Sequence, residues 1–137
     1  MKHTYMLDTN ICSFIMRERP EQVLLALQAH VEKRERIVVS AITYAELRFG
    51  AIGKKASPKH NMIVDEFMER LDAVLAWDQC AVDATTIIKK TLSEQGKVIG
   101  SNDFMIAGHA ISQECVLVTN NTKEFSRVPG LLIEDWI

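Results

Sequence analysis

Residues 3–15, HTYMLDTNICSFI, change from a strand pattern to a helix pattern within a few positions. His3–Leu7 is a short strand-like run, and the polar residues 8–10 end it. Apolar residues at helical spacing then begin at Ile11. A strand, a polar turn and a helix in this order are typical of the first unit of an α/β domain.

The same alternation of strand and helix continues along the rest of the chain. Further strand-like runs are residues 37–39, 73–75, 116–119 and 131–133, and helical patterns follow Pro20, Ser40, Pro58, Asp78 and Ser101. Short strands that are apolar throughout and separated by helices indicate a parallel sheet covered on both faces. The sequence therefore predicts one α/β domain over residues 1–137, with three α/β/α layers and about five mainly parallel strands.

Composition excludes several classes of protein. The chain has 137 residues, 47% apolar and 25% charged, which is the profile of a globular domain and not of a disordered or fibrous protein. Lys and Arg number 16 against 18 Asp and Glu, so a nucleic-acid partner would need a local basic patch. No apolar run is long enough to span a membrane, and the acid at position 8 argues against a signal peptide.

The cysteines indicate a reducing compartment and no zinc site. Cys12, Cys80 and Cys115 are odd in number, widely spaced and set among apolar residues, and the chain has no CxxC pair. We predict three buried free thiols in a cytoplasmic protein.

Polar residues fall at the ends of the predicted strands or on the helices that leave them. Asp8 and Asn121 follow strands, and Asp103 lies near the start of a helix. In open α/β sheets, ligands bind at the edge formed by the carboxyl ends of the strands. Each residue also has a structural explanation: Asp8 suits a helix N-cap, Asp103 a helix first turn, and Asn121 a tight turn.

Glu46 is the acid least expected on structural grounds. It lies four residues after Ile42 and three before Phe49, so it shares with them a helix face that we expect to point inward. Buried carboxylates are rare unless they are paired or bound to a cation. The alternative is a capping box with Thr43, but Ser40 is the better cap for this helix.

Three carboxylates at one sheet edge repel one another unless a cation lies between them. Oxygen ligands without His or Cys select Mg²⁺ or Mn²⁺ over zinc. Such an ion activates water, orients it and neutralises charge on a leaving oxygen. The residues alone therefore predict a divalent-metal site, formed by Asp8, Glu46 and Asp103 and suited to phosphoryl chemistry.

The chain resembles the PIN-domain ribonucleases, and among them the VapC-type toxins of bacterial toxin–antitoxin pairs. The resemblance rests on MLDTNI (6–11), VSAITYAELRFGA (39–51), IGSNDFMIAGHA (99–110), and LVTNNTKEF, RVPGL and EDW within 117–136. It implies a PIN-like fold in which Asp8, Glu46 and Asp103 are the catalytic acids and the ligands of Mg²⁺ or Mn²⁺.

The resemblance also assigns roles to three polar residues near these acids. Asn121 stands at a catalytic position where many relatives carry a fourth acid, which implies one firmly held ion and a second that arrives with the substrate phosphate. Thr9 and Thr119 match positions near the metal, where they support its ligands.

The function implied by the resemblance is endonucleolytic cleavage of a structured RNA, with tRNA favoured. Hydrolysis by metal-activated water would leave 5′-phosphate and 3′-hydroxyl ends. The resemblance further implies a homodimer, inhibition by a cognate VapB-type antitoxin, and contact with DNA only through that antitoxin.

A basic stretch follows Glu46. Arg48, Lys54 and Lys55 belong to a segment without acids, so they are candidates for RNA binding through phosphates that flank the cut. The structural alternative is that cations at the end of a helix complement its dipole and keep a loop solvated.

Two other enzyme classes fit less well, because Asp8-Thr9-Asn10 offers a single acid. Phosphoacceptor signalling domains need paired acids after the first strand, and haloacid-dehalogenase-like phosphatases need Asp-x-Asp. A catalytically silent domain of the same fold, which binds RNA or an antitoxin, stays open as the alternative function. His109 lies off the inner helix stripe, so we expect a surface or packing role for it.

Overall fold

Parallel strands with apolar side chains on both faces form the centre of the molecule. The computed structural model describes residues 3–53 and 56–137. The strands are β1 (Thr4–Leu7), β2 (Arg36–Ser40), β3 (Ala73–Leu75), β4 (Val116–Val118) and β5 (Ile133–Glu134). The helices are α1 (Thr9–Met16), α2 (Glu21–Glu32), α3 (Ala41–Gly50), α4 (Pro58–Arg70), α5 (Gln79–Glu94), α6 (Ser101–Ser112) and α7 (Thr122–Phe125).

Side chains alternate between the two faces of the sheet, as strand geometry requires. In β1, Tyr5 and Leu7 belong to the apolar layer formed with α1, α2 and α4. Met6 belongs to the opposite layer, with Leu117 of β4 and the buried faces of α5 and α6. The predicted three-layer architecture is therefore confirmed, and all strand pairs of the sheet are parallel.

The strand order places a crevice at the middle of the sheet. The order is β3-β2-β1-β4-β5, so the chain moves outward to one side through β2 and β3, then to the other side through β4 and β5. Connections leave β1 and β4 in opposite directions, which opens a cleft at their carboxyl ends where ligands bind. Leu7 pairs with Val118 at this end, and Asp8 N–H donates to Val118 O at 3.0 Å.

Several element boundaries differ from the prediction. The glycine at position 53 predicts that the helix after Ser40 continues to about Ile52, but α3 ends at Gly50. The sequence favours Ser101 as the N-cap of α6, but Gly100 takes this position. Strand β5 is shorter and later than residues 131–133, since the chain must leave the left-handed turn at Gly130 (φ +79°) before it pairs with β4. Helix α7 was not predicted, because four residues are too few to show a helical period.

The sequence pattern predicts Cys80 on the apolar face of the helix after Asp78, but the buried face of α5 does not include this residue, so one expectation for the cysteines is wrong. The core side of α5 is formed by Ala81, Thr85, Ile88 and Leu92. Cys80 is one position out of this stripe and is exposed, whereas Cys12 and Cys115 are buried free thiols as predicted.

His109 has the packing role and not the surface one. It is fully buried in α6, and its Nδ1 lies 2.7 Å from Ser40 Oγ. In the described part of the chain, no helix is both long and apolar enough to cross a membrane.

Candidate active site

The predicted acids line one small cavity at the crevice between β1 and β4. The cavity has a volume of about 120 Å³ and is lined by Asp8, Thr9, Asn10, Glu46, Asp103, Asn121 and Phe125. Its acids come from three elements that are far apart in sequence: the end of β1, the middle of α3 and the first turn of α6. The fold therefore brings Asp8, Glu46 and Asp103 together at the sheet edge.

Asp8 is the most buried of these acids, with 5% of its surface exposed. Its Oδ1 accepts a hydrogen bond from Ile11 N–H at 2.9 Å, so Asp8 is the N-cap of α1, which is the structural role that the sequence analysis considered for it. Burial raises the pKa of this carboxyl, although the Thr119 hydroxyl and the Ile11 amide act in the opposite direction. The capping role orients the Asp8 carboxylate at the wall of the cavity.

Glu46 is held by a threonine. Thr9 Oγ1 donates to Glu46 Oε1 at 2.7 Å, which links the start of α1 to α3. The capping-box explanation does not apply, because α3 begins at Ala41 and Ser40 Oγ accepts from Ile42 N–H at 3.1 Å.

The helix face that carries Glu46 differs from the prediction in one respect. The core side of α3 is formed by Thr43 and Leu47, while Phe49 is 78% exposed. Glu46 therefore borders an open cavity and does not enter the core, which explains how an unpaired carboxylate is tolerated there.

A fourth acid, missed by the sequence analysis, completes the cluster. Glu124 lies on α7 and accepts hydrogen bonds from Gly100 N–H (2.9 Å, Oε1) and from Asn121 Nδ2 (2.7 Å, Oε2). It is also hydrogen-bonded to Asp103. Glu124 thus supplies the negative charge that position 121 lacks, and the Asn121 amide orients it. The sequence did offer one signal for this residue, because Glu124 is the only acid in the NNTKEF stretch and lies three residues after Asn121.

The electrostatics of the cluster are those of carboxylates held too close together. Burial, followed by the hydrogen bond and charge of Glu124, raises the pKa of Asp103 to about 7. Burial also disfavours ionised Glu124, but its bonds from Gly100 and Asn121 outweigh this effect and lower its pKa. The four acids therefore concentrate negative charge at one end of the sheet.

The donor set fits a hard divalent cation, although a complete coordination shell is not formed. Within residues 3–53 and 56–137, no three His, Cys, Asp or Glu side chains already meet at metal-binding distance. The cavity is nevertheless lined by carboxylate, amide and hydroxyl oxygens, which Mg²⁺ and Mn²⁺ prefer. The raised pKa values of Asp8 and Asp103 indicate negative charge that a bound cation would stabilise.

The supporting residues named from the sequence lie close to these acids. Thr9 bonds Glu46, and the Thr119 hydroxyl contacts Asp8 and accepts from Asn121 N–H at 3.0 Å. Thr119 is completely buried. Both threonines thus position carboxylates through hydrogen bonds.

Among the candidate RNA-binding cations, Arg48 lies in the described part of the chain, and it does not line the carboxylate cavity. Its guanidinium forms an ion pair with Asp65 of α4. Its Nε also donates to Tyr44 Oη at 2.9 Å. Lys54 and Lys55 lie outside the described residues.

Comparison with known proteins agrees with this geometry. The PIN domain family model matches residues 5–131. The tRNA(fMet)-specific endonuclease VapC of Shigella flexneri is 41% identical over 133 residues, covering 96% of this chain and 97% of that protein. Ribonuclease VapC2 of Rickettsia felis is 36% identical over 132 residues, with the same coverage.

Solved structures show the same fold. The structure of VapBC2 from Rickettsia felis bound to a DNA fragment from their promoter has a TM-score of 0.90 at 34% identity, over 98% of this chain and 99% of that chain. The DNA-bound VapBC of Salmonella typhimurium has a TM-score of 0.89 at 39% identity, over 100% of both chains. The chain belongs to the PIN-domain family, in its group of VapC ribonucleases.

Proposed function

We propose that the chain is a Mg²⁺- or Mn²⁺-dependent endoribonuclease and the toxin of a toxin–antitoxin pair. The observation that carries the proposal is the shared cavity of Asp8, Glu46 and Asp103, with Glu124 beside it, at the switch point of a parallel sheet. Relatives with the same fold are named ribonucleases, which supports RNA as the substrate.

Asp8, Glu46 and Asp103 would hold the cation, and Glu124 would extend the set. A bound Mg²⁺ or Mn²⁺ would lower the pKa of water and neutralise charge on the phosphate and leaving oxygen. The chain's own groups orient the ligands: Thr9 holds Glu46, the Ile11 amide and Thr119 hold Asp8, and Asn121 holds Glu124.

The bond changes of the proposed hydrolysis are simple. A water oxygen adds to phosphorus as the bond from phosphorus to the 3′ oxygen breaks, and that oxygen takes up a proton. The products are a 5′-phosphate and a 3′-hydroxyl. This chemistry needs no nucleophile from the protein, in accord with a cavity that offers only carboxylate, amide and threonine groups beside Phe125.

A tRNA is the substrate we propose, with initiator tRNA as the first choice because that is the substrate named for the Shigella flexneri relative. The solved relatives are VapBC complexes, which supports a VapB-type antitoxin as inhibitor and a DNA contact made through it. We further propose a cytoplasmic homodimer.

The test is cleavage of initiator tRNA and of total tRNA by the purified protein, with Mg²⁺, with Mn²⁺ and with EDTA. Asp8→Asn and Glu124→Gln are expected to lower the rate by at least 100-fold and at least tenfold, because each removes a ligand charge. Asp83→Asn changes an exposed acid in the first half of α5 that lines neither the carboxylate cavity nor the hollow beside Glu124. It is the matched control and should cleave like the wild type.

The fragment ends decide the chemistry. Discrete fragments with 5′-phosphate ends that vanish with EDTA and with Asp8→Asn support the proposal. A 2′,3′-cyclic phosphate end would exclude water as the nucleophile. Binding of tRNA without any cleavage would identify the domain as a catalytically silent RNA-binding protein.

A further inference from the structure

A second depression opens next to the carboxylate cavity. It has a volume of about 480 Å³ and is lined by Val98–Gly100, Asn121, Lys123, Glu124 and Arg127. Asn121 lines both hollows, and Glu124 is hydrogen-bonded to Asp103 at the boundary between them. The two hollows are therefore adjacent, and an extended ligand could occupy both of them.

Two cations border this depression. Arg127 Nη1 donates to Val98 O at 3.2 Å, which fixes the guanidinium at the rim. A guanidinium has five N–H donors, so most of them are available for a ligand. Lys123 is exposed on α7. Within residues 3–53 and 56–137, neither cation has a carboxylate oxygen within ion-pair distance, whereas Arg48 is paired with Asp65.

An RNA strand needs such cations here. Asp8, Glu46, Asp103 and Glu124 repel phosphates, and the chain as a whole has a net charge of −2. Contacts to phosphates are what position a nucleic acid on a protein. The planar fork of an arginine matches two phosphate oxygens, and a lysine adds a point charge.

We propose that the depression is a phosphate seat, in which Arg127 and Lys123 bind the RNA backbone phosphate next to the scissile one. The seat rests on the proposed ribonuclease function and adds to it the position of the strand. Arg48 has no part in the seat, because its guanidinium connects α3 to α4.

The test compares Lys123→Gln/Arg127→Gln with the wild type and with Lys33→Gln/Lys90→Gln. The control removes the same charge from exposed positions outside the seat. The dissociation constant for initiator tRNA is measured with Ca²⁺ at several salt concentrations, and cleavage is measured with Mg²⁺. We expect the seat variant to bind about tenfold more weakly, with a salt slope smaller by about 0.7, which corresponds to the loss of one phosphate contact to a single strand. The control should match the wild type.

A single modified phosphate separates a seat from a diffuse electrostatic effect. Synthetic RNA carrying an uncharged methylphosphonate is prepared with the modification on either side of the mapped cut. At one position, the methylphosphonate should weaken RNA binding to the wild type about as much as the double substitution does. The same modification should have little further effect on binding to the seat variant. Equal losses in both proteins at every position would overturn the seat.

The outcomes for the seat and for the proposed function are distinct. Wild-type cleavage with unchanged affinity and salt slope in the seat variant overturns the seat alone. RNA binding that depends on the seat, without cleavage by the wild type, overturns the nuclease function alone. If the seat variant loses only affinity for the antitoxin, the depression is a protein interface and the proposal is wrong.

Discussion

At the scale of single residues, the site depends on polar side chains that each serve the fold as well as the ligand. Asp8 caps α1 through one carboxylate oxygen, and Ser40 caps α3. The sequence could identify Asp8 and Asp103 because each lies directly at a predicted strand end or helix start. It missed Glu124, because the turn of α7 that brings this side chain to Asp103 is too short to show a helical period in the sequence.

His109 allows a prediction about pH. Burial lowers the pKa of this histidine, although the charge of Asp78 opposes the effect. The folded chain therefore favours neutral His109, while the unfolded chain takes up a proton near the ordinary value of 6.5. The stability due to neutral His109 is complete above pH 6.5 and is lost as the pH falls toward the lower folded-state pKa.

The measurement is urea unfolding of the wild type and of His109→Gln at pH 7.5 and pH 5.5. At pH 7.5 the substitution should cost about 1–3 kcal/mol, since it removes the buried contact with Ser40. The difference between the two proteins should shrink at pH 5.5. The other three histidines are present in both proteins, so their contributions cancel in the difference. An equal difference at both pH values would contradict the prediction.

At the scale of elements, α5 and α6 approach each other closely at Gly108. A Cβ added at Gly108 would lie 2.1 Å from Thr85 Oγ1 and 2.7 Å from Thr85 N. The helices pack so tightly that only glycine fits at this position. The small residues 107, 108 and 110 predict that α6 approaches the sheet closely, but the structure places Gly108 against Thr85 of α5.

Gly108→Ala should therefore destabilise the protein by about 1–3 kcal/mol, because the backbone of α5 must move. Gly50→Ala is the matched control, because Gly50 is also a helical residue, the last one of α3, and nothing lies within 4 Å of its added Cβ. The control should be neutral or slightly stabilising. Thermal unfolding of both variants decides, and equal midpoints would show that α5 and α6 separate without cost.

Element identity was predictable where the local pattern decides it. The β-branched run at residues 37–39 predicted β2, and Ser57-Pro58 predicted the start of α4. The orientation of a helix was harder. The buried residues of α3 are Thr43 and Leu47, whereas Phe49 stays exposed despite its apolar side chain. Periodicity shows which residues share a face, but it does not show which face is covered.

At the scale of the whole molecule, the strand order explains why the acids lie close together. Local patterns predicted strands and helices, and the reversal of direction between β1 and β4 follows from the complete topology. The fold collects four acids at this one edge, and the raised pKa values of Asp8 and Asp103 indicate that the charges of these two acids oppose folding when no cation is bound. Function and stability are therefore in conflict at the site, as is common for strained or charged functional centres.

Metal binding should resolve this conflict, and thermal unfolding can measure it. Mn²⁺ at about 100 times its dissociation constant should stabilise the wild type by about 2.7 kcal/mol, a rise of several degrees in Tm. Without metal, Asp103→Asn should melt above the wild type. The helix dipole favours an acid in the first turn of α6 by about 0.3–1 kcal/mol, but burial and Glu124 outweigh it, as the raised pKa of Asp103 indicates.

With Mn²⁺ present, the order of the two proteins should reverse, because Asp103→Asn loses a ligand and most of the metal-induced rise. Asp83→Asn serves again as the control and should follow the wild type in both conditions. An equal rise in Tm for wild type and Asp103→Asn would place the ion elsewhere. A lower Tm for metal-free Asp103→Asn would mean that the charge of Asp103 stabilises α6, and that the four acids coexist in the folded chain without a cation.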